Sequence, residues 1–245
     1  MMKKVLVSIL MIFCCFSLLA QRIQTDRPSA QTDNSSTLYK EAFQIEYGIT
    51  FQFENNNLEN IAIPNTLYRY GLSEKFEIRV ANNLLFNNDL GRFYLDPFQF
   101  GGKYQLIKNE KSQLALLSMV SLNNLRADSI STFFQNINLK LIGSNPINDN
   151  FGLGYTIGHQ FNHIQENDNF NYSIFLSIGL GDQLSGFFEV YGNLNYVETL
   201  YNQLNADFGL AYIINDKLQL DIYLGSGINN QMYFGSLGLS YLFMN

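Results

Sequence analysis

Residues 43–53 read FQIEYGITFQF. Phe43, Ile45, Tyr47, Ile49, Phe51 and Phe53 share one parity, and Gln44, Glu46, Gly48, Thr50 and Gln52 share the other. Successive side chains of a β-strand point to opposite faces, so this stretch makes a strand with one oily and one polar side. A helix would scatter the two sets around its circumference. The same count in twos recurs at 151–161, 170–180, 218–224 and 233–243. The last closes the chain with Tyr233, Gly235, Leu237, Leu239, Tyr241 and Phe243 against Phe234, Ser236, Gly238, Ser240 and Leu242.

Working outward, the pattern predicts twelve strands, at 43–53, 61–71, 76–84, 95–106, 113–122, 132–142, 151–161, 170–180, 186–196, 204–213, 218–228 and 233–243. Strands of about 9–11 residues match a tilted crossing of a bilayer, whereas soluble strands centre near 5–6. Asn, Asp, Gly and Ser clusters such as NPINDN (145–150), GDQLSG (181–186) and INDK (214–217) supply the turn chemistry between them. Pro64 lies inside the second strand and lacks a ladder donor, which predicts a bulge or a late strand start there.

Composition narrows the classes. The 245 residues are 47% hydrophobic, which is ample for a core, and 15% charged. Mean hydropathy is −0.05, which excludes a polytopic helical membrane protein. A net charge of −6 argues against a nucleic-acid partner, whose phosphates demand Lys and Arg. Residues 1–20 read as a signal peptide, with Lys3 and Lys4, an apolar run over 5–19, and cleavage after Ala20. Both cysteines, Cys14 and Cys15, leave with it, so no disulfide, thiolate nucleophile or cysteine metal site is expected. Of 15 basic residues, losing Lys3 and Lys4 leaves 13 against 21 acidic ones.

Period-two alternation alone does not say which face looks inward, because a soluble sandwich alternates too. Strand length, aromatics at strand ends, and charges on the polar face favour an apolar-out barrel. That assignment makes residues 43–245 an antiparallel up-and-down transmembrane β-barrel. Loops 54–60, 85–94, 123–131, 162–169, 197–203 and 229–232 would lie outside, and turns 72–75, 107–112, 143–150, 181–185 and 214–217 in the periplasm. The partners are then outer-membrane lipid, the barrel-assembly machinery during biogenesis, and a small solute.

TDRPSAQTDNSSTLYKEAFQIEYG (25–48), NTLYRYGLSEKFEIRV (65–80) and the closing Gly238-Leu239-Ser240-Tyr241 resemble a family of bacterial outer-membrane β-barrels. That family is labelled after the meta-pathway of phenol degradation, or simply "transporter". The resemblance implies an outer-membrane barrel that takes up small, in part aromatic, compounds. It implies no catalytic residues.

The inward parity supplies the candidate lumen-lining residues Glu46, Arg69, Glu77, Arg79, Lys103, Lys140, Glu189, Tyr191, Asp207, Asp221 and Tyr223. A three-residue turn at 72–74 would set Arg69 opposite Glu77, either as part of a solute path or as a salt bridge within the wall. Residues 21–42 are polar and without alternation. They read either as a flexible periplasmic lead-in or as a segment that partly plugs the mouth through Asp26 and Arg27. Twelve strands at about 4.8 Å spacing and about 40° tilt enclose a backbone diameter of roughly 24 Å, and side chains narrow it to about 10 Å or less. The only histidines are His159, of outward parity, and His163. His163, Glu166 and Asp168 in one outer loop could grip a cation, but the bland reading of a solvated acidic loop is preferred. No catalytic constellation, metal site or cofactor is expected. The rival functions are a non-conducting structural or adhesive barrel and a secreted soluble β protein.

Overall fold

The structure is a computed structural model that describes residues 23–26, 31–122, 134–162, 168–196 and 202–243. The leader at 1–20, Arg27, the outer loop 123–131, and His163 with Glu166 lie outside the described residues. The strands are β1 (Phe43–Glu54), β2 (Asn57–Ser73), β3 (Phe76–Asn87), β4 (Arg92–Leu95), β5 (Gln99–Lys108), β6 (Gln113–Leu122), β7 (Phe134–Pro146), β8 (Phe151–Asn162), β9 (Asn169–Gly179), β10 (Leu184–Asn195), β11 (Gln203–Asn215), β12 (Leu218–Gly227) and β13 (Met232–Phe243). Sequence neighbours pair antiparallel except β4 and β5, which both pair with β3, and β1 pairs with β13 from Phe43↔Phe243 to Glu54↔Met232. The sheet therefore closes on itself, as a strand-built membrane crossing requires, and among the described residues β4 alone has a ladder on one side only.

The predicted strand 95–106 starts late, as β5 at Gln99, and the end of the predicted outer loop 85–94 forms a further short strand, β4. β4 pairs with the far end of β3 and β5 with its near end, separated by Asp96-Pro97-Phe98. Pro97 has no N–H to give the ladder. Asp96 spans the gap: its N–H donates to Asn83 O at 2.9 Å, and its carboxylate accepts from Asn83 Nδ2 at 3.0 Å. Counted as one broken stave, β4 and β5 make the barrel twelve-stranded. At Pro64 the strand bulges, with Ile63 and Pro64 together facing Ile49 on one side and Leu84 on the other. The expected loop 54–60 is instead a tight turn at Asn55-Asn56. Both have positive φ (50° and 65°), which suits a two-residue hairpin and which Asn tolerates. β7 runs on to Pro146, so the expected turn 143–150 shortens to 147–150. The turns at that end are accordingly short.

The faces sort as apolar-out. Ile174 (59% exposed) and Leu237 (53%) look away from the barrel, as do Ile222, Leu224 and Phe208. Glu46, Arg69, Glu77, Lys103 and Glu189 look inward, and all stand at 0%. A water-soluble core would reverse that order. Aromatic pairs ring both ends. Phe43 lies 5.7 Å from Phe243 at the short-turn end, and Phe53 lies 5.0 Å from Tyr233 at the other. His159 joins the far ring, 4.2 Å from Phe161 and 5.6 Å from Tyr196.

Candidate functional site

The inward residues of β2 and β3 build the site first. The expected register fails here: Leu72 bulges between Gly71 and Ser73, so Arg69 faces Arg79 and Glu77 faces Gly71. Like charges directly opposite repel, and acids on three sides resolve it. Glu77 grips Arg69 with two parallel bonds, Nε–Oε1 at 3.1 Å and Nη2–Oε2 at 3.0 Å, and also takes Arg79 Nε at 2.7 Å. Glu46, from β1, takes Arg69 Nη1 at 3.0 Å.

The third acid comes from outside the sheet. Asp26 lies inside the barrel, with its carboxylate against Arg79, 3.3 Å from Arg69 Nη1 and 3.1 Å from Lys103 Nζ. Asp33 bridges Arg79 Nη1 at 3.1 Å and Lys140 Nζ at 2.7 Å. The strands on this side carry four cations (Arg69, Arg79, Lys103, Lys140) and two of these acids (Glu46, Glu77); the lead-in segment brings the other two. Buried charges left uncompensated are costly, so the wall and the segment complete each other.

The backbone of the lead-in is held the same way. Its described residues form no ladder, so their polar groups need partners from the barrel interior. Asp26 N–H donates to Glu46 Oε2 at 2.9 Å, and Leu38 N–H to Glu77 Oε2 at 2.7 Å. Gln31 and Thr32 N–H both donate to the Glu189 carboxylate at 2.7 Å. In return Arg69 donates to Gln24 O at 2.7 Å and Lys103 to Asn34 O at 2.6 Å. At the short-turn mouth Ile23, Leu38, Ala42 and Leu242 form a small apolar cluster. Gly71 is required there: a Cβ on it would sit 1.7 Å from Tyr39 O.

Asp207, Asp221, Tyr191 and Tyr223 lie on the opposite wall, on β10–β12, and also face inward. So do Phe175, Phe187 and Phe234, which form a row with Tyr223: Phe175 stacks on Phe187, Phe187 meets Tyr223 at a tilt, and Phe234 meets Tyr223 edge to face. Phe175 and Phe234 sit at polar-parity positions in the sequence, and that parity was the signal for them. The segment 31–36 separates the remaining space. A cavity of about 530 Å³ at the short-turn end touches Thr32 to Ser36. Cavities of about 170 and 270 Å³ on the other side share Asn138, Lys140 and Gln160, and they reach Asp33 and Gln31.

The fold has solved counterparts. A KdgM porin in complex with disordered oligogalacturonate aligns with a TM-score of 0.60 at 11% identity, covering 82% of this chain and 99% of that one. A NanC porin aligns with a TM-score of 0.63 at 7% identity, covering 80% and 98%. At such identity the likeness is one of fold: this chain has the closed antiparallel barrel of outer-membrane porins. No curated protein matches the sequence. Residues 25–243 match the family described as "Putative MetA-pathway of phenol degradation", and the chain belongs to that family.

Proposed function

We propose that this chain is a narrow outer-membrane channel for passive uptake of a small, amphipathic or aromatic solute, and that its own lead-in segment plugs it at rest. The observation that carries this reading is the lead-in wedged between cavities at both ends of a charged lumen. A barrel with nothing to pass needs no lumen whose charge balance depends on a detachable strand of chain. The outward apolar wall supports a place in lipid, and the likeness to porins supports a channel. Charged groups on β2–β7 face the aromatic row of Phe175, Phe187, Tyr223 and Phe234 on β9–β13, which suits a solute with both polar and apolar parts.

The second reading is a non-conducting structural barrel. It is favoured by the density of bonds that hold the lead-in. Planar-bilayer recordings of the full mature chain and of a chain lacking 22–36 separate the two. The channel reading expects rare or small steps from the full chain and larger, frequent steps from the deletion. A deletion that folds and inserts yet stays silent would leave only the structural reading.

A further inference from the structure

We infer that the wall of β9–β13 binds organic ammonium ions that carry an aromatic group. This deepens the channel reading and rests on it for the solute's route, although the binding itself needs only the folded barrel.

Phe175, Phe187, Tyr223 and Phe234 form a continuous row across the interior, with ring centroids 5.1, 6.3 and 5.7 Å apart in turn. β11 passes beneath the row with Gly209, which pairs with Phe187 on one side and Tyr223 on the other. A Cβ there would lie 2.5 Å from Tyr223 Cβ and 2.7 Å from Phe187 Cε1. The absent side chain lets the rings close up into a single apolar surface.

Acids bracket this row. Two residues along in one direction the register runs Glu189↔Asp207↔Gly225, and in the other Ala211↔Asp221↔Gly238. Thr32, Gln31 and their backbone occupy Glu189. Asp207 (1% exposed) and Asp221 (5%) are different. All four of their carboxylate oxygens are shielded from water, and among the described residues none accepts a hydrogen bond of normal length; Gln219, the side chain within reach of Asp221, gives its amide to Thr25 Oγ1 at 2.7 Å. Of their strand neighbours, Gly225, Ala211 and Gly238 are too small to supply a donor, and Glu189 is itself an acid. Among the described residues, the interior cations are held elsewhere: Arg69, Arg79 and Lys103 by Glu46, Glu77 and Asp26, and Lys140 by Asp33.

A buried carboxylate without a donor is costly. What the site lacks is a positive group that can donate hydrogen bonds. Aromatic faces beside it attract the same charge. The cavity of about 530 Å³ reaches Asp221, Phe175 and Phe187 from the short-turn end, and it falls within the range of small-ligand pockets.

The test is calorimetric titration of the full mature chain in detergent micelles with 2-phenylethylammonium, 3-phenyl-1-propanol and 3-phenylpropanoate. The ammonium ion is expected to bind about tenfold tighter than either of the others. Asp207→Asn combined with Asp221→Asn should abolish that preference with the boiled and unboiled gel mobilities unchanged. Tyr223→Leu, which keeps both acids, should weaken ammonium binding several-fold. Equal binding of the three probes, or a preference that survives the double substitution, overturns the inference. Bilayer recordings on the same preparation keep the two readings apart. Conductance without ammonium preference removes this site alone, whereas preference without conductance leaves the site and removes the channel.

Discussion

Replacing Asp26 by Asn should open the barrel. Asp26 is the point where the lead-in meets the wall cations, touching Arg69, Arg79 and Lys103 with one carboxylate that is fully buried. Asn keeps the shape and can still accept the Asn34 N–H that Asp26 holds now. Only the charge goes. One pair at this separation is worth about 4 kcal/mol at an effective dielectric near 20. Desolvation offsets part of that, and removing one partner of a buried pair costs about 3–5 kcal/mol in practice. The low end applies here, because Glu46 and Glu77 still neutralise Arg69 and Arg79. About 3 kcal/mol taken from the docked segment raises the undocked population on the order of 100-fold, at about 1.4 kcal/mol per decade. The β-ladder is untouched, so the barrel should still form. The assay is open probability in planar bilayers, wild type against Asp26→Asn. An open probability unchanged within about twofold, in a bilayer where deletion of 22–36 does open the barrel, would refute the electrostatic clasp.

Three further outcomes follow from the same geometry. Ile222→Arg puts a charge on the lipid-facing wall and should destabilise the barrel in vesicles by about 2–4 kcal/mol, measured by urea unfolding. Gly71→Ala drives a methyl into Tyr39 O and should loosen the lead-in by about 1–3 kcal/mol, read as roughly tenfold faster trypsin cleavage after Lys40. Asp26→Asn combined with Asp33→Asn takes two acids from beside Arg79, Lys103 and Lys140 and no cation, so reversal potentials should shift toward anion selectivity.

Much of the barrel was legible because its two faces alternate residue by residue. That parity placed Glu46, Arg79, Lys103, Glu189 and Asp221 on one face without any knowledge of contacts. It carries no information on register, and there the reading slipped. The bulge at Leu72 moved Arg69 opposite Arg79, yet the ion pair with Glu77 survived as a diagonal contact. Pro97 was visible and was read through, although a residue without an N–H should have broken the strand. The Asn55-Asn56 turn was hidden because an Asn run signals a loop as readily as a two-residue hairpin. The lead-in was the hardest part. It has no period, and its partners are spread from Glu46 to Gln219, so its seat rests on charge complementarity between distant segments.

The most direct test of a mobile lead-in inside a channel is to fasten it. With cleavage after Ala20 the mature chain has no cysteine, and Thr32 Oγ1 lies 2.5 Å from Ser173 Oγ on β9. Thr32→Cys with Ser173→Cys should form a disulfide across that contact. Bilayer recordings under oxidising conditions should then show the steps suppressed, and reduction with dithiothreitol should restore them to the wild-type frequency. A disulfide that forms while conductance stays the same in both conditions would contradict the account.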